Sequence, residues 1–164
     1  MHRLNLIKTN RNIVNLATLL IAFFGFTTIL FPLLLMYVIP QSGLGNYFLD
    51  HVNYAFISVP ILVYFVITGV YYYRIKIDPY IIDITSYRTI SGFFQKNDYV
   101  DVSHAMLKDY SFFNRPFTLN KTLMLKIESD SGKKISKRFN LSFLSKKEEK
   151  EITSVLNKII ADNK

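Results

Sequence analysis

Two apolar stretches, Ile13 to Ile39 and Tyr54 to Tyr73, carry no charged side chain and cover 27 and 20 residues. Roughly 20 residues cross a hydrocarbon core of ~30 Å at ~1.5 Å per residue, so both are long enough to span a membrane. The alternative of buried helices in a soluble domain fails on supply. The remaining 91 residues, Arg74 to Lys164, cannot fold themselves and also cover two helices that are apolar on every side. A cleaved leader is the other alternative for the first stretch, but its apolar part is too long and no small-residue cleavage pattern follows. The sequence therefore predicts five parts: a tail over 1–12, a span over 13–39, a short outer loop over 40–53, a second span over 54–73 and a domain over 74–164.

Flanking charge predicts orientation, because Lys and Arg stay on the cytoplasmic side of short loops. Arg3, Lys8 and Arg11 precede the first span, the segment Pro40 to Asn53 has no cation, and Arg74 and Lys76 follow the second. Both termini are expected in the cytoplasm, with the chain in the inner membrane. Tyr37, Tyr47, Phe48 and Tyr54 would bracket the outer boundary and Tyr71 to Tyr73 the inner one. Pro32 and Pro60 each remove a backbone donor within a span and predict local bends. Transport pathways place ionisable groups inside spans, and these stretches offer within them only Asn15, a few Thr and Ser, and Tyr64.

Arg74 to Lys164 holds 17 Lys and Arg against 11 Asp and Glu, so it supplies +6 of the chain's +8. A basic domain tethered to the cytoplasmic leaflet lies in the negative potential of anionic lipids, worth about 1 kcal/mol per nearby cation. Nucleic acid is not expected as a partner, since no binding motif accompanies the lysines. The chain has no cysteine, which removes disulfides and thiolate metal sites.

Within this domain the period of the pattern changes to two. Tyr80 to Thr85, Tyr87 to Phe93, Val100 to His104 and Met106 to Phe112 read as strands, rich in Tyr, Ile, Phe and Val. Leu123, Leu125 and Ile127 alternate with Met124, Lys126 and Glu128, Ser129 to Gly132 supply turn chemistry, and Lys133 to Phe139 run back as a hairpin. Asn140 to Leu144 read as a seventh short strand. Ser145 and Glu148 then form a capping box. Ile152, Val155, Leu156, Ile159 and Ile160 follow as one apolar helical stripe, which must cover a bent sheet of about seven strands.

Tyr80-Ile81-Ile82-Asp83-Ile84, Thr89-Ile90-Ser91-Gly92-Phe93-Phe94, the strand around Val100 and Val102, the Lys133 to Phe139 arm and the terminal helix resemble the bacterial pleckstrin-homology-like domains found behind paired transmembrane helices. The resemblance covers most of Tyr80 to Ile160. It implies a membrane-anchored α+β protein whose seven-stranded, two-sheet barrel is closed by a C-terminal helix. Domains of this shape serve mainly as binding and assembly platforms, and no catalytic residues carry over.

The residues themselves point away from catalysis. Ser103-His104 is the one hydroxyl beside a histidine in the domain, and neighbours on a strand face opposite ways. His2, His51 and His104 would lie on two sides of the membrane, so they form no shared metal site. Gly43 and Gly45 match no nucleotide-binding fingerprint. Neither an enzyme nor a cofactor is expected.

Two binding surfaces stand out instead. Lys133, Lys134, Lys137 and Arg138 on the hairpin arm, with Lys146, Lys147 and Lys150 opening the last helix, would make an anionic-surface patch if close in space; a solvated rim is the alternative. Tyr110, Phe112, Phe113, Arg115 and Phe117 fall in a connection that is either a partner-binding loop or a plug of the barrel end. The expected function is a non-enzymatic membrane interaction module or accessory subunit, acting on a membrane protein complex, a homo-oligomer or anionic phospholipid. The alternative is a two-helix membrane effector whose β-domain senses a ligand such as a cyclic nucleotide.

Overall fold

The computed structural model describes residues 5–38, 43–50, 53–89, 98–129 and 131–163. It is an α+β protein that divides into two compact units, Met1–Val14 with Val70–Lys164, and Asn15–Gly69. In chain order the elements are β1 (Leu6–Thr9), α1 (Arg11–Gly25), a π turn (Phe26–Leu30), α2 (Phe31–Val38), α3 (Gly43–Asp50), α4 (Asn53–Thr68) and β2 (Tyr71–Ile77). Then come β3 (Ile81–Arg88), β4 (Asp98–Ser103), a 3-10 turn (His104–Met106), β5 (Leu107–Asn114), β6 (Asn120–Glu128), β7 (Lys134–Ser142) and α5 (Lys146–Asp162).

The first unit holds two antiparallel sheets, in order β1-β2-β3-β4 and β5-β6-β7. Alternation puts Tyr73, Ile75, Ile77, Ile82 and Ile84 from one sheet against Leu123, Leu125, Phe139 and Leu141 from the other, all fully buried. Helix α5 covers this core with Ile152, Leu156 and Ile159, while Val155 and Ile160 pack at its margin. Its capping box forms as expected: Ser145 Oγ accepts from Glu148 N at 3.2 Å, and Glu148 Oε2 accepts from Ser145 N at 3.0 Å.

Seven strands are present, but they are not the seven predicted. The tail over 1–12 contributes β1, whose Leu6 pairs with Ile77 and whose Thr9 pairs with Arg74. The helix expected through Tyr73 stops at Thr68, where Gly69 takes φ 73° and its N–H bonds Phe65 O at 3.0 Å. This left-handed turn favours glycine and ends the helix. Tyr71 to Tyr73 therefore open β2 instead of closing the second apolar helix, and the domain starts before Arg74 and includes the N-terminal strand. Lys133 to Phe139 and Asn140 to Leu144 merge into β7, and Tyr87 belongs to β3. Positions 90–93 of the predicted second strand lie outside the described residues. His104 sits in the 3-10 turn, not on a strand.

In the second unit, Arg11–Leu34 is the one described helix long and apolar enough to cross a membrane, at 24 residues. Ser58–Thr68 is a shorter apolar stretch within α4, whose 16 residues fall below the roughly 20 of a full span. The expected loop over 40–53 contains α3, because Leu44, Tyr47 and Phe48 recur at helical spacing. Ahead of Pro32 the helix widens into the π turn, with Phe31 N–H reaching Phe26 O. Proline lacks the donor and crowds the carbonyl one turn back, and a wider turn gives that carbonyl room. The Thr28 hydroxyl meanwhile bonds Phe24 O at 2.6 Å, which shields it from an apolar surround. Cβ added at Gly25 would meet Leu62 at 3.6 Å, an ordinary contact between the first and last helices of this unit.

Asn10 joins the pieces of the first unit. Its side-chain oxygen accepts from Tyr73 N at 2.9 Å, and its amide donates to Tyr71 O and Ser142 O, both at 2.9 Å. The residue is 3% exposed, and its carbonyl accepts from Val14 N as α1 begins. Replacing Asn10 with Ala removes all three side-chain bonds from a buried site, so a loss on the order of 2–3 kcal/mol is expected. Thermal unfolding of the full chain in detergent measures it; an unchanged midpoint would refute the role.

Candidate functional site

Two groups of cations stand apart among the described residues. Lys8–Glu151 (2.5 Å), Lys76–Asp78 (2.6 Å), Lys126–Asp109 (2.8 Å), Lys108–Glu128 (3.9 Å) and Lys121–Glu149 are ion pairs within the first unit. The Lys126 ammonium holds the Asp109 carboxyl below its usual range, and Lys8 does the same for Glu151. Both effects stabilise the fold at neutral pH and fade as acid protonates the carboxylates; being exposed, both are small. The seven cations singled out in the sequence form the other class. Lys133, Lys134, Lys137, Arg138, Lys146, Lys147 and Lys150 are exposed, and none is ion-paired among the described residues.

Strand β7 explains the exposure of the first four. Its far half is buried through Phe139, Leu141 and Ser142, while Lys134 to Arg138 are exposed on both faces where they run beside Met124 to Glu128 of β6. Lys137 stands opposite Leu125 and Arg138 opposite Met124. The seven cations do not gather at one groove. Lys134 lines a shallow groove with Lys108, Lys126 and Glu128, whereas Lys146 and Lys150 line another with Asn114, Lys121 and Glu149.

The aromatic segment also divides. Residues 110–114 belong to β5, so the connection is only 115–119. Tyr110 and Phe112 turn inward, in edge-to-face contact at 6.1 Å between ring centres, and pack against the core. Tyr110 further donates its hydroxyl to Asn157 Oδ1 on α5 at 2.7 Å. Phe113, Arg115 and Phe117 turn outward, Phe117 being 94% exposed. Phe117 also holds φ 57°, a left-handed conformation that costs a side-chain-bearing residue about 1–2 kcal/mol. The Thr118 hydroxyl donates to Arg115 O at 3.1 Å and braces this turn.

The sequence did not point to Asn10, Asn120 or Ser142. Ser142 Oγ accepts from Tyr71 N at 2.7 Å and donates to Asn120 Oδ1, so the three polar residues connect β1, β2, β6 and β7. Only Ser142, between Leu141 and Phe143, carries a signal, a polar residue where the neighbouring pattern is apolar. Tyr73 is likewise a core residue, its hydroxyl pushed to a higher pKa first by burial and then by the Glu148 carboxylate.

For chemistry, His104 and Ser103 remain the adjacent pair, but Ser103 makes no capping bond to the turn and His104 Nε2 is buried with no hydrogen-bond partner in the described residues. No group of three or more metal-binding side chains occurs among the described residues. No family model, curated protein or solved structure matches the chain.

Opposite fates are expected for adjacent phenylalanines. Phe112→Ser removes a side chain packed on the core and should lower stability by about 1–2 kcal/mol, whereas Phe113→Ser should stay within about 0.5 kcal/mol. Chemical denaturation of the two variants checks this; equal losses would place both rings in the core.

Proposed function

We propose that this chain is a non-enzymatic integral membrane module that holds a basic, pleckstrin-homology-like domain against the cytoplasmic leaflet, where its unpaired cations engage anionic phospholipid and present the domain to a membrane complex. The observation that carries the reading is the pairing of β1 with β2 on either side of the segment Asn15–Gly69. Thr9 and Tyr71 lie at the same end of neighbouring strands, so the chain departs from and returns to one place. A crossing by Arg11–Leu34 must then be matched by a crossing back. Helix α4 with the residues ahead of it supplies the return, and a short span is accommodated by local thinning of the bilayer.

The same pairing argues against a cleaved leader. Cleavage after the first apolar helix would remove β1 and Asn10, stripping a strand and three buried hydrogen bonds from the domain. Arg3, Lys8 and Arg11 before the segment and Arg74 and Lys76 after it support a cytoplasmic domain by the retention of cations. Sheets of four and three strands in sequential order, closed by a C-terminal helix, support the pleckstrin-like resemblance.

Because the chain has no cysteine, single Cys probes report topology cleanly. In intact cells an impermeant maleimide should label Asn46→Cys, and Ser131→Cys only after lysis; labelling of both from one side would overturn the hairpin. If the cations hold lipid, changing Lys133, Lys134, Lys137 and Arg138 to Gln should reduce the anionic phospholipid retained by the full chain in mild detergent. The difference should shrink as salt is raised. Equal, salt-independent retention in native mass spectra would assign these residues to a solvated face.

A further inference from the structure

One end of the four-stranded sheet gathers the last residue of β1, Thr9, the first of β2, Tyr71, the last of β3, Arg88, and the first of β4, Asp98. The chain leaves toward Asn15–Gly69 from this end. Strand β7 lies along it: Asn140 O accepts from the Ser86 hydroxyl at 2.6 Å, and Ser142 meets both Tyr71 and the Asn10 amide. Ser142 in turn pairs with Asn120, and Phe143 N–H bonds Leu119 O at 3.0 Å. The turn 115–119 is thereby rooted at the end of the unit from which the apolar segment departs.

We propose that this turn inserts Phe117 into the boundary between lipid headgroups and acyl chains, with Arg115, Lys146 and Lys150 resting on the anionic phosphates around it. This rests on the membrane-anchored reading above. Three observations favour a lipid surface as the occupant. The first is continuity, since the turn shares an end with the points where the chain leaves and re-enters the domain. The second is composition: Phe113, Phe117 and Leu119 are each at least half exposed, and Asn114, next to Arg115 in the chain, lines a hollow with Lys146, Lys150 and the Lys121–Glu149 pair. An apolar tip with cations to one side suits a boundary that is apolar on one side and anionic on the other, with burial of roughly 5–10 Å. Three side chains make a small patch against the roughly 800 Å² that each partner buries in a stable protein interface. The third is the left-handed backbone at Phe117, a position that glycine or asparagine would fill without strain. A bulky ring held outward by an unfavourable backbone is kept for what it touches.

The chain has no tryptophan, so Phe117→Trp gives a single fluorophore at the tip, and the 94% exposure leaves room for it. The full chain is reconstituted into vesicles of zwitterionic and anionic lipid brominated either near the glycerol end of the acyl chain or near its methyl end. Phe23→Trp, on the exposed surface of α1, serves as the reporter of the span itself. The proposal expects Phe117→Trp emission to be blue-shifted and quenched several-fold more by the shallow bromines than by the deep ones. Quenching of Phe23→Trp without quenching of Phe117→Trp would overturn the insertion and leave the anchoring intact. A blue-shifted but unquenched Phe117→Trp would overturn it in favour of a protein occupant, and loss of quenching at both positions would overturn the anchoring as well.

Discussion

The side-chain amide of Asn10 is the interaction on which the rest of the first unit depends. Edge strand β1 has only four residues, and alone it would gain little from pairing along one side. By accepting from Tyr73 and donating to Tyr71 and Ser142, Asn10 fixes the register of β1 on β2 and joins both to β7, the strand that belongs to the other sheet. An amide suits this place because it offers both acceptor and donors to a backbone that presents one N–H and two carbonyls. Aspartate would set a negative oxygen against two carbonyl oxygens, and leucine would leave all three groups unpaired.

Charge is partitioned with similar economy. Glu149 and Glu151 of α5, Asp109 of β5 and Glu128 of β6 pair with lysines of the same unit, and the arm of β7 and the opening of α5 carry exposed cations outside those pairs. Exposed internal pairs add little to stability. Their larger effect is to leave the cations of the β7 arm and of the opening of α5 outside direct ion pairs among the described residues, so that these positions contribute to the field outside the domain.

From Ile81 onward the architecture was legible in the sequence, because alternation, a turn rich in Ser and Gly, and a capping box all act through residues close together in the chain. The limits of β3 and β7 and helix α3 were also misread, while β1 and the start of β2 were missed because their partners lie far away. Leu6 to Thr9 looks like a basic flank until Ile77 is known to sit across from it, and Tyr71 to Tyr73 continue an apolar run in which no period is visible. Gly69 was the available mark of the boundary. In the candidate site, cations at Lys133 to Arg138 were legible as exposed because only Ile135 interrupts the polar run before Phe139. The split between Phe112 and Phe113 was not, since it depends on the irregular register between Leu107 and Asp109 that sets which rings of β5 face inward.

The pairing of β1 with β2 has a consequence for biosynthesis. Thr9 cannot find Arg74 until the whole intervening segment has been made, so the first strand waits with open edges while α1 is already formed. Closing so long a loop in solution carries an entropic cost that grows with the logarithm of its length. Packing of the first helix of that segment on the last, as where Gly25 lies beside Leu62, brings the loop's ends together beforehand. The apolar segment then serves as the turn of a β-hairpin, and its packing becomes a step in the folding of the domain.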